Sequence, residues 1–122
     1  MTIADLKHFP SEVTRTLDLV LELKAHALVV LDLRGNSTAT DFFVLASGNS
    51  DVQVRAIAEH VVDELKLQGA RPGHVEGMQG GHWVLLDYIN FVVHVFHPEA
   101  RTFYQLEDLW GDAPRWDASP ES

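Results

Sequence analysis

Seven histidines and eighteen carboxylates in 122 residues raise metal and acid–base chemistry first. His74, Glu76 and His82 flank the glycine-rich stretch GMQGG, and His94 and His97 close the apolar run FVVHVFH. Imidazole and carboxylate both bind zinc, but no HExxH is present, and without cysteine there can be no Cys/His frame. Along a continuing strand side chains alternate, so His94 and His97 point to opposite faces. His74, Glu76 and His82 can meet in space, yet nothing in their spacing demands it. The expectation is no metal and no cofactor.

Phosphate chemistry fares little better. GMQGG fits neither GxGxxG nor the Walker pattern. GNSD, residues 48–51, is a better candidate, because a strand–Gly–helix start can hold an anion on its free N–H groups. It supports an alternative reading as a nucleotide-binding or nucleotidyl-transferring enzyme. That chemistry also needs clustered carboxylates for two metal ions. The nearest, Asp51, Glu59 and Asp63, all fall on one helix, and no Asp-x-Asp follows on a strand. Ser47, Ser50, Asp87 and His94 could be assembled into a triad on paper, but no GxSxG elbow surrounds either serine. Ser50 sits three residues before Gln53 and reads as a helix cap. Asp32 reads as a carboxylate bonded to nearby backbone or to Ser/Thr groups of the following loop. No catalytic residues are expected.

WVLLDYINFVVHVFH, residues 83–97, offers binding rather than bond-breaking. On one face of the first strand lie Trp83, Leu85 and Asp87, and on the matching face of its partner Val92, His94 and Phe96. One register of the hairpin sets Trp83 across from His94. Two readings fit. In one, Trp83 is a core residue with its indole N–H bonded, and His94 is a satisfied buried histidine. In the other, a tryptophan at the edge of a polar loop, with Glu76, Met78, Asp87 and Tyr88 near it, is a protein-binding hot spot.

The elements that must position these residues follow from periodicity. Val13, Leu17, Val20 and Leu21 make one face of an amphipathic helix, with Ser11 as its cap. ALVVLDLRG and DFFVLASG read as strands. Val54, Ile57, Ala58, Val61 and Leu65 mark a second helix that stops at Gly69. HVEGMQGG reads as a short strand entering a flexible glycine-rich turn, and HWVLLDY and FVVHVFH form a hairpin around Ile89-Asn90. PEARTFYQLEDLW is helical from Pro98. The order α-β-β-α-β-β-β-α predicts an α/β fold: a mixed sheet of about five strands with helices packed on it. Residues 1–111 read as one domain, and 112–122 as a flexible polar tail with Trp116 given no role.

Charge narrows the partners. Eighteen acidic against nine basic residues give −9, and residues 76–122 alone carry eight acidic and two basic. Direct nucleic-acid binding needs a basic footprint. An acidic surface suits docking on a basic protein, or simply solubility. The longest apolar runs, ALVVL and FFVLA, fall far short of the roughly 20 residues a membrane span needs, so no membrane contact and a cytoplasmic location are expected.

From about Leu28 to Asp112 the chain resembles the bacterial ribosomal silencing factor (RsfS) family, also called Iojap. The resemblance is carried by LDLRGNSTATDFFVLASGNSDVQVRAIAEHV and HVEGMQGGHWVLLDYINFVVHVFHPEARTFYQLEDLW. Its most specific parts are DFFVLASGNS, the segment Trp83–Asp87 with His94, and RTFYQLEDLW. The resemblance implies a non-enzyme that binds the fourteenth protein of the large ribosomal subunit. Docked there, it blocks joining of the small subunit and lowers translation when nutrients are scarce. It also implies little direct nucleic-acid contact, a homodimer when free, and a nucleotidyltransferase-like fold without the catalytic carboxylates. Trp83 matches the family's interface tryptophan, and Asp87 and His94 its accompanying polar positions; Glu76, Met78 and Tyr88 are added by local reasoning. Tyr104, Leu106 and Trp110 match the closing motif and are expected to pack the last helix on the sheet. Ile89-Asn90 stands where the family commonly has glycine then aspartate. Isoleucine resists φ > 0, so an altered turn is expected.

Overall fold

The computed structural model describes residues 9–35, 40–104 and 112–118, without the side chains of 102–104. The first helix, α1 (Ser11–Glu22), buries Val13, Thr16, Leu17, Leu19 and Val20. Its N-cap is Pro10 rather than Ser11, and the Pro10 carbonyl takes the N–H groups of Val13 and Thr14. Proline serves here because the cap position needs only a free carbonyl and an extended backbone. The second helix, α2 (Asp51–Leu67), buries Val54, Ile57, Ala58, Val61 and Leu65, the stripe the sequence predicts, and Ser50 caps it by accepting the Gln53 N–H.

Both helices end in the same way. At α2 the Ala70 N–H reaches the Leu65 carbonyl and the Gly69 N–H reaches Lys66, with Gly69 at φ +86°. At α1 the Ala25 N–H reaches Val20 and the Lys24 N–H reaches Leu21, with Lys24 at φ +64°. This is the Schellman arrangement, which needs a left-handed residue after the cap. Glycine supplies it freely in α2; in α1 a lysine adopts it against its preference.

The strands are β1 (His26–Asp32), β2 (Phe42–Ser47), β3 (His74–Glu76), β4 (Trp83–Asp87), β5 (Phe91–Phe96) and β6 (Arg115–Asp117), with a short helix α3 (Pro98–Tyr104) after β5. They form one six-stranded sheet in the order β3-β4-β5-β2-β1-β6. The β2–β5 pairing is parallel and every other pairing antiparallel, so the sheet is mixed as predicted. The sixth strand corrects the expectation of a loose tail from residue 112. Residues 115–117 pair with β1, and Trp116 packs edge-on against Phe9 at 5.1 Å beside the main core. A partly buried indole packed against a ring offsets the ordering entropy of a polar edge segment, which composition alone does not register.

The sheet's two faces differ. Against one lie α1 and α2, and together they enclose Leu28, Val30, Phe42, Val44, Ala46, Val84, Leu86, Phe91, Val93 and Val95. The other face carries a smaller cluster, Val29, Leu31, Leu33, Leu45 and Phe96 with Ala100 and Ala113. A bulge in β1, where register shifts between His26 and Val29, helps hold α3 over that face. Ala27 at the bulge has φ +51°, and its carbonyl accepts from the Arg101 guanidinium, which also donates to buried Ser47 Oγ at 2.9 Å. Leu106 and Trp110, expected to pack the last helix, lie outside the described residues, as does the side chain of Tyr104.

Candidate protein-binding site

The register of the β4–β5 hairpin fixes what surrounds Trp83. Trp83 pairs with Phe96 and Leu85 with His94, so tryptophan and histidine are diagonal neighbours rather than direct partners. The indole Nε1–H nevertheless donates to His94 Nδ1 at 3.0 Å, and the indole stacks on Phe96 at 5.3 Å. A diagonal contact lies within reach of an aromatic side chain. His94 is only 3% exposed, wedged among Phe43, Trp83 and Phe96. Because Nδ1 accepts, the ring's proton sits on Nε2, and that buried N–H has no partner among the described residues. Burial pushes the imidazole pKa down to about 4. The hydrogen bond acts in the same sense, since a proton on Nδ1 would eject the indole N–H.

Asp32 finds the backbone partner expected of it, but its side-chain partner is Arg34 and not a serine or threonine. Its carboxylate accepts from Arg34 N and Nε at 3.0 Å each and pairs with Nη2 at 2.7 Å. The Arg34 guanidinium holds the carboxyl below the usual carboxylate range.

Around Trp83 the sheet surface is only partly covered. Trp83, Leu85 and Asp87 alternate with fully buried Val84 and Leu86. Phe43, two strands away, is also partly exposed. On the edge strand, Glu76 pairs with Leu85 and His74 with Asp87, so both project on the Trp83 side and contact each other at 3.3 Å. The result is an aromatic and aliphatic patch of Trp83, Phe43 and Leu85 with an acidic rim of Glu76 and Asp87. Gly77 makes this approach possible: at φ +79°, a Cβ there would stand 1.9 Å from the Trp83 carbonyl oxygen.

Of the six residues singled out by sequence, Trp83, Asp87, His94 and Glu76 therefore share one face. Met78 and Tyr88 do not. Met78 packs against the main core, and Tyr88 is 9% exposed, stacked on Phe91 on the helix-covered side. Tyr88 precedes the turn and has the parity of Leu86, so chain proximity to Asp87 misled. It lines a cleft of about 290 Å³ with Glu12, Gln68 and Arg71, and burial raises its hydroxyl pKa to about 12. Sequence reasoning missed Phe43 and Leu85. Strand alternation pointed to Leu85, but only the β2–β5 pairing could bring in Phe43.

The turn beneath the patch holds isoleucine at positive φ. Ile89 adopts φ +75°, and the Asn90 N–H returns to the Tyr88 carbonyl at 2.9 Å, the tight three-residue turn of the uncommon positive-φ form. Asp87 Oδ1 accepts the Ile89 N–H at 2.8 Å and stabilises it. A β-branched residue at this φ puts strain into the turn.

The helix start at 48–51 is occupied by its own caps. Gly48 N–H bonds to Phe96 O, Asn49 N–H to Gln53 Oε1 at 2.6 Å, and Gln53 N–H to Ser50 Oγ, while Gln53 Nε2 holds the Leu23 carbonyl. With Asp51 in the first turn, an incoming phosphate would meet a carboxylate and few free donors.

A mixed sheet with helices packed on it, and a partly open aromatic face edged by carboxylates, define a small α/β protein. The chain belongs to the ribosomal silencing factor family: residues 6–122 match the family described as "Ribosomal silencing factor during starvation". It is 44% identical over 94 residues to the ribosomal silencing factor RsfS of Bacillus subtilis, covering 77% of this chain and 80% of that one. A crystal structure of a protein from Chromobacterium violaceum aligns with TM-score 0.78 at 33% identity, covering 82% and 84% of the two chains. Another, from Bacillus halodurans, aligns with TM-score 0.76 at 37% identity, covering 88% and 99%. The family is named for silencing the ribosome and not for a reaction, which places the chain in the control of translation. Among the described residues, no helix is long and apolar enough to cross a membrane.

Proposed function

We propose that this protein binds the large ribosomal subunit through the subunit's fourteenth protein and sterically blocks the small subunit from joining. The observation that carries the reading is the partly open face of Trp83, Leu85 and Phe43 beside Glu76 and Asp87. Indole and aliphatic area supply contact energy, and carboxylates complement a basic ribosomal protein and speed encounter. His94 is too buried to touch a partner broadly; it is a positioning residue that fixes the indole through its Nδ1. Occlusion breaks no bond and needs no cofactor. It scales with occupancy alone, in the cytoplasm, where ribosomal subunits meet.

The same reading takes the free protein as a homodimer. It takes the sheet as a nucleotidyltransferase-like framework whose helix start after β2 is filled by side-chain caps.

Sedimentation of purified subunits through a sucrose gradient tests it. With the protein in excess, joined ribosomes decrease and the protein travels with the large subunit; an unchanged joined peak at saturation refutes the reading. Trp83→Ala weakens subunit binding by about 2 kcal/mol or more. Circular dichroism must confirm that this variant is folded, and an unchanged affinity in the folded variant removes Trp83 from the interface.

A further inference from the structure

At the other end of the β4–β5 hairpin, the pairing that sets Trp83 against Phe96 brings the residues just outside it together. His97 N–H bonds to the His82 carbonyl at 2.8 Å, and the two imidazoles lie parallel, 5.1 Å apart with 6° between planes. Glu99, in the first turn of α3, joins them. One donor atom from each of His82, His97 and Glu99 falls within 4.8 Å of the others, the one such three-residue grouping among the described residues. His82 and Glu99 are exposed and His97 partly so.

We infer that His82, His97 and Glu99 form a binding site for a borderline divalent cation of the zinc type, with Asp51 as the supporting carboxylate. Two imidazoles and a carboxylate are a donor set that zinc takes with a fourth position left to water. Asp51 Oδ1 lies 3.1 Å from His82 Nδ1. A carboxylate only accepts, so the proton is drawn to Nδ1 and the Nε2 lone pair is left for the metal. His97 already presents an unprotonated Nδ1, which accepts the Glu99 N–H at a long 3.2 Å and exchanges that contact for a metal bond. Donors around tetrahedral zinc stand about 3.3 Å apart, so closure needs movements of about 1 Å. The exposed side chains of His82 and Glu99 are free to make them. The bound ion ties the loop before β4 to the start of α3, beside the first turn of α2. The sequence concealed this set because His82 stands 15 and 17 residues before His97 and Glu99 and shares no element with them.

Calorimetric titration of the untagged full chain with zinc chloride, with magnesium chloride as the comparison, is the test. One zinc per chain binds, with a dissociation constant below about 100 µM, and magnesium does not, because nitrogen donors suit zinc. His82→Ala removes the binding, and Asp51→Asn weakens it about tenfold. Both positions lie outside the core, and an unchanged thermal midpoint without metal confirms that each variant folds. No zinc binding, binding that survives His82→Ala, or magnesium binding of equal strength overturns the assignment. Glu99→Gln separates the third ligand: unchanged affinity there excludes Glu99 and with it the site as drawn.

Discussion

Neighbouring strands β4 and β5 are built from similar residues and meet opposite fates. Every residue of β5 is buried, whereas β4 alternates between full burial and partial exposure. Both strands put Val84, Leu86, Val93 and Val95 beneath the helices. Only β5 lies far enough into the sheet to be covered on its second face as well. The same hairpin thus has a closed side that holds the fold and an open side that offers contact. On the face of Trp83, buried His94 and partly exposed Asp87 orient what the surface presents.

That contrast can be tested on adjacent residues. Leu86→Ala, on the closed side, costs about 3 kcal/mol in urea unfolding and leaves ribosome binding by the folded fraction unchanged. Leu85→Ala, one position along, costs under about 1.5 kcal/mol in stability because its site is already part open, and its loss appears in binding instead. Equal stability costs would show the two faces to be equivalent and break the comparison.

His94 gives the next largest effect, through pH. Its imidazole titrates at 6.5 in the unfolded chain and at about 4 in the fold. Below pH 6.5 the unfolded chain therefore binds a proton that the folded chain refuses. The stability present above pH 6.5 drains away as pH falls towards 4, by up to about 3 kcal/mol. His94→Phe flattens this slope in urea unfolding measured across that window, while removing the histidine acceptor of the Trp83 N–H and weakening subunit binding. A slope unchanged by the substitution would assign the pH dependence elsewhere.

Smaller effects concern the edges of the open face. Ile89→Gly relieves a β-branched residue held at φ +75° and raises stability by about 1 kcal/mol, read as a higher thermal midpoint. Glu76→Gln slows association with the subunit and reduces its salt dependence while changing stability by less than about 0.5 kcal/mol. An unaltered salt dependence would remove Glu76 from the acidic rim.

Much of the fold was legible because periodicity reports burial. The α2 stripe from Val54 to Leu65 and its stop at Gly69 follow from spacing and from glycine's freedom at positive φ. Lys24 carries no such sign, since only the packed chain forces a lysine into that conformation. Half of the site was legible for the same reason: alternation put Trp83, Leu85 and Asp87 on one face. Met78 and Tyr88 were misplaced because nearness in sequence is not nearness across a sheet. Trp116 was passed over because its partner, Phe9, is more than a hundred positions away.

The sequence by itself determined which residues each element would turn inward, the acidic balance, and the family to which the chain belongs, because these depend on local order and composition. Only the tertiary structure decided that Trp83 leans diagonally onto His94 and that Phe43 joins the open face. It also decided that His82, His97 and Glu99 converge. Strand order and register are set by the packing of the whole sheet, and one residue of slip in a strand would send its side chains to the opposite face.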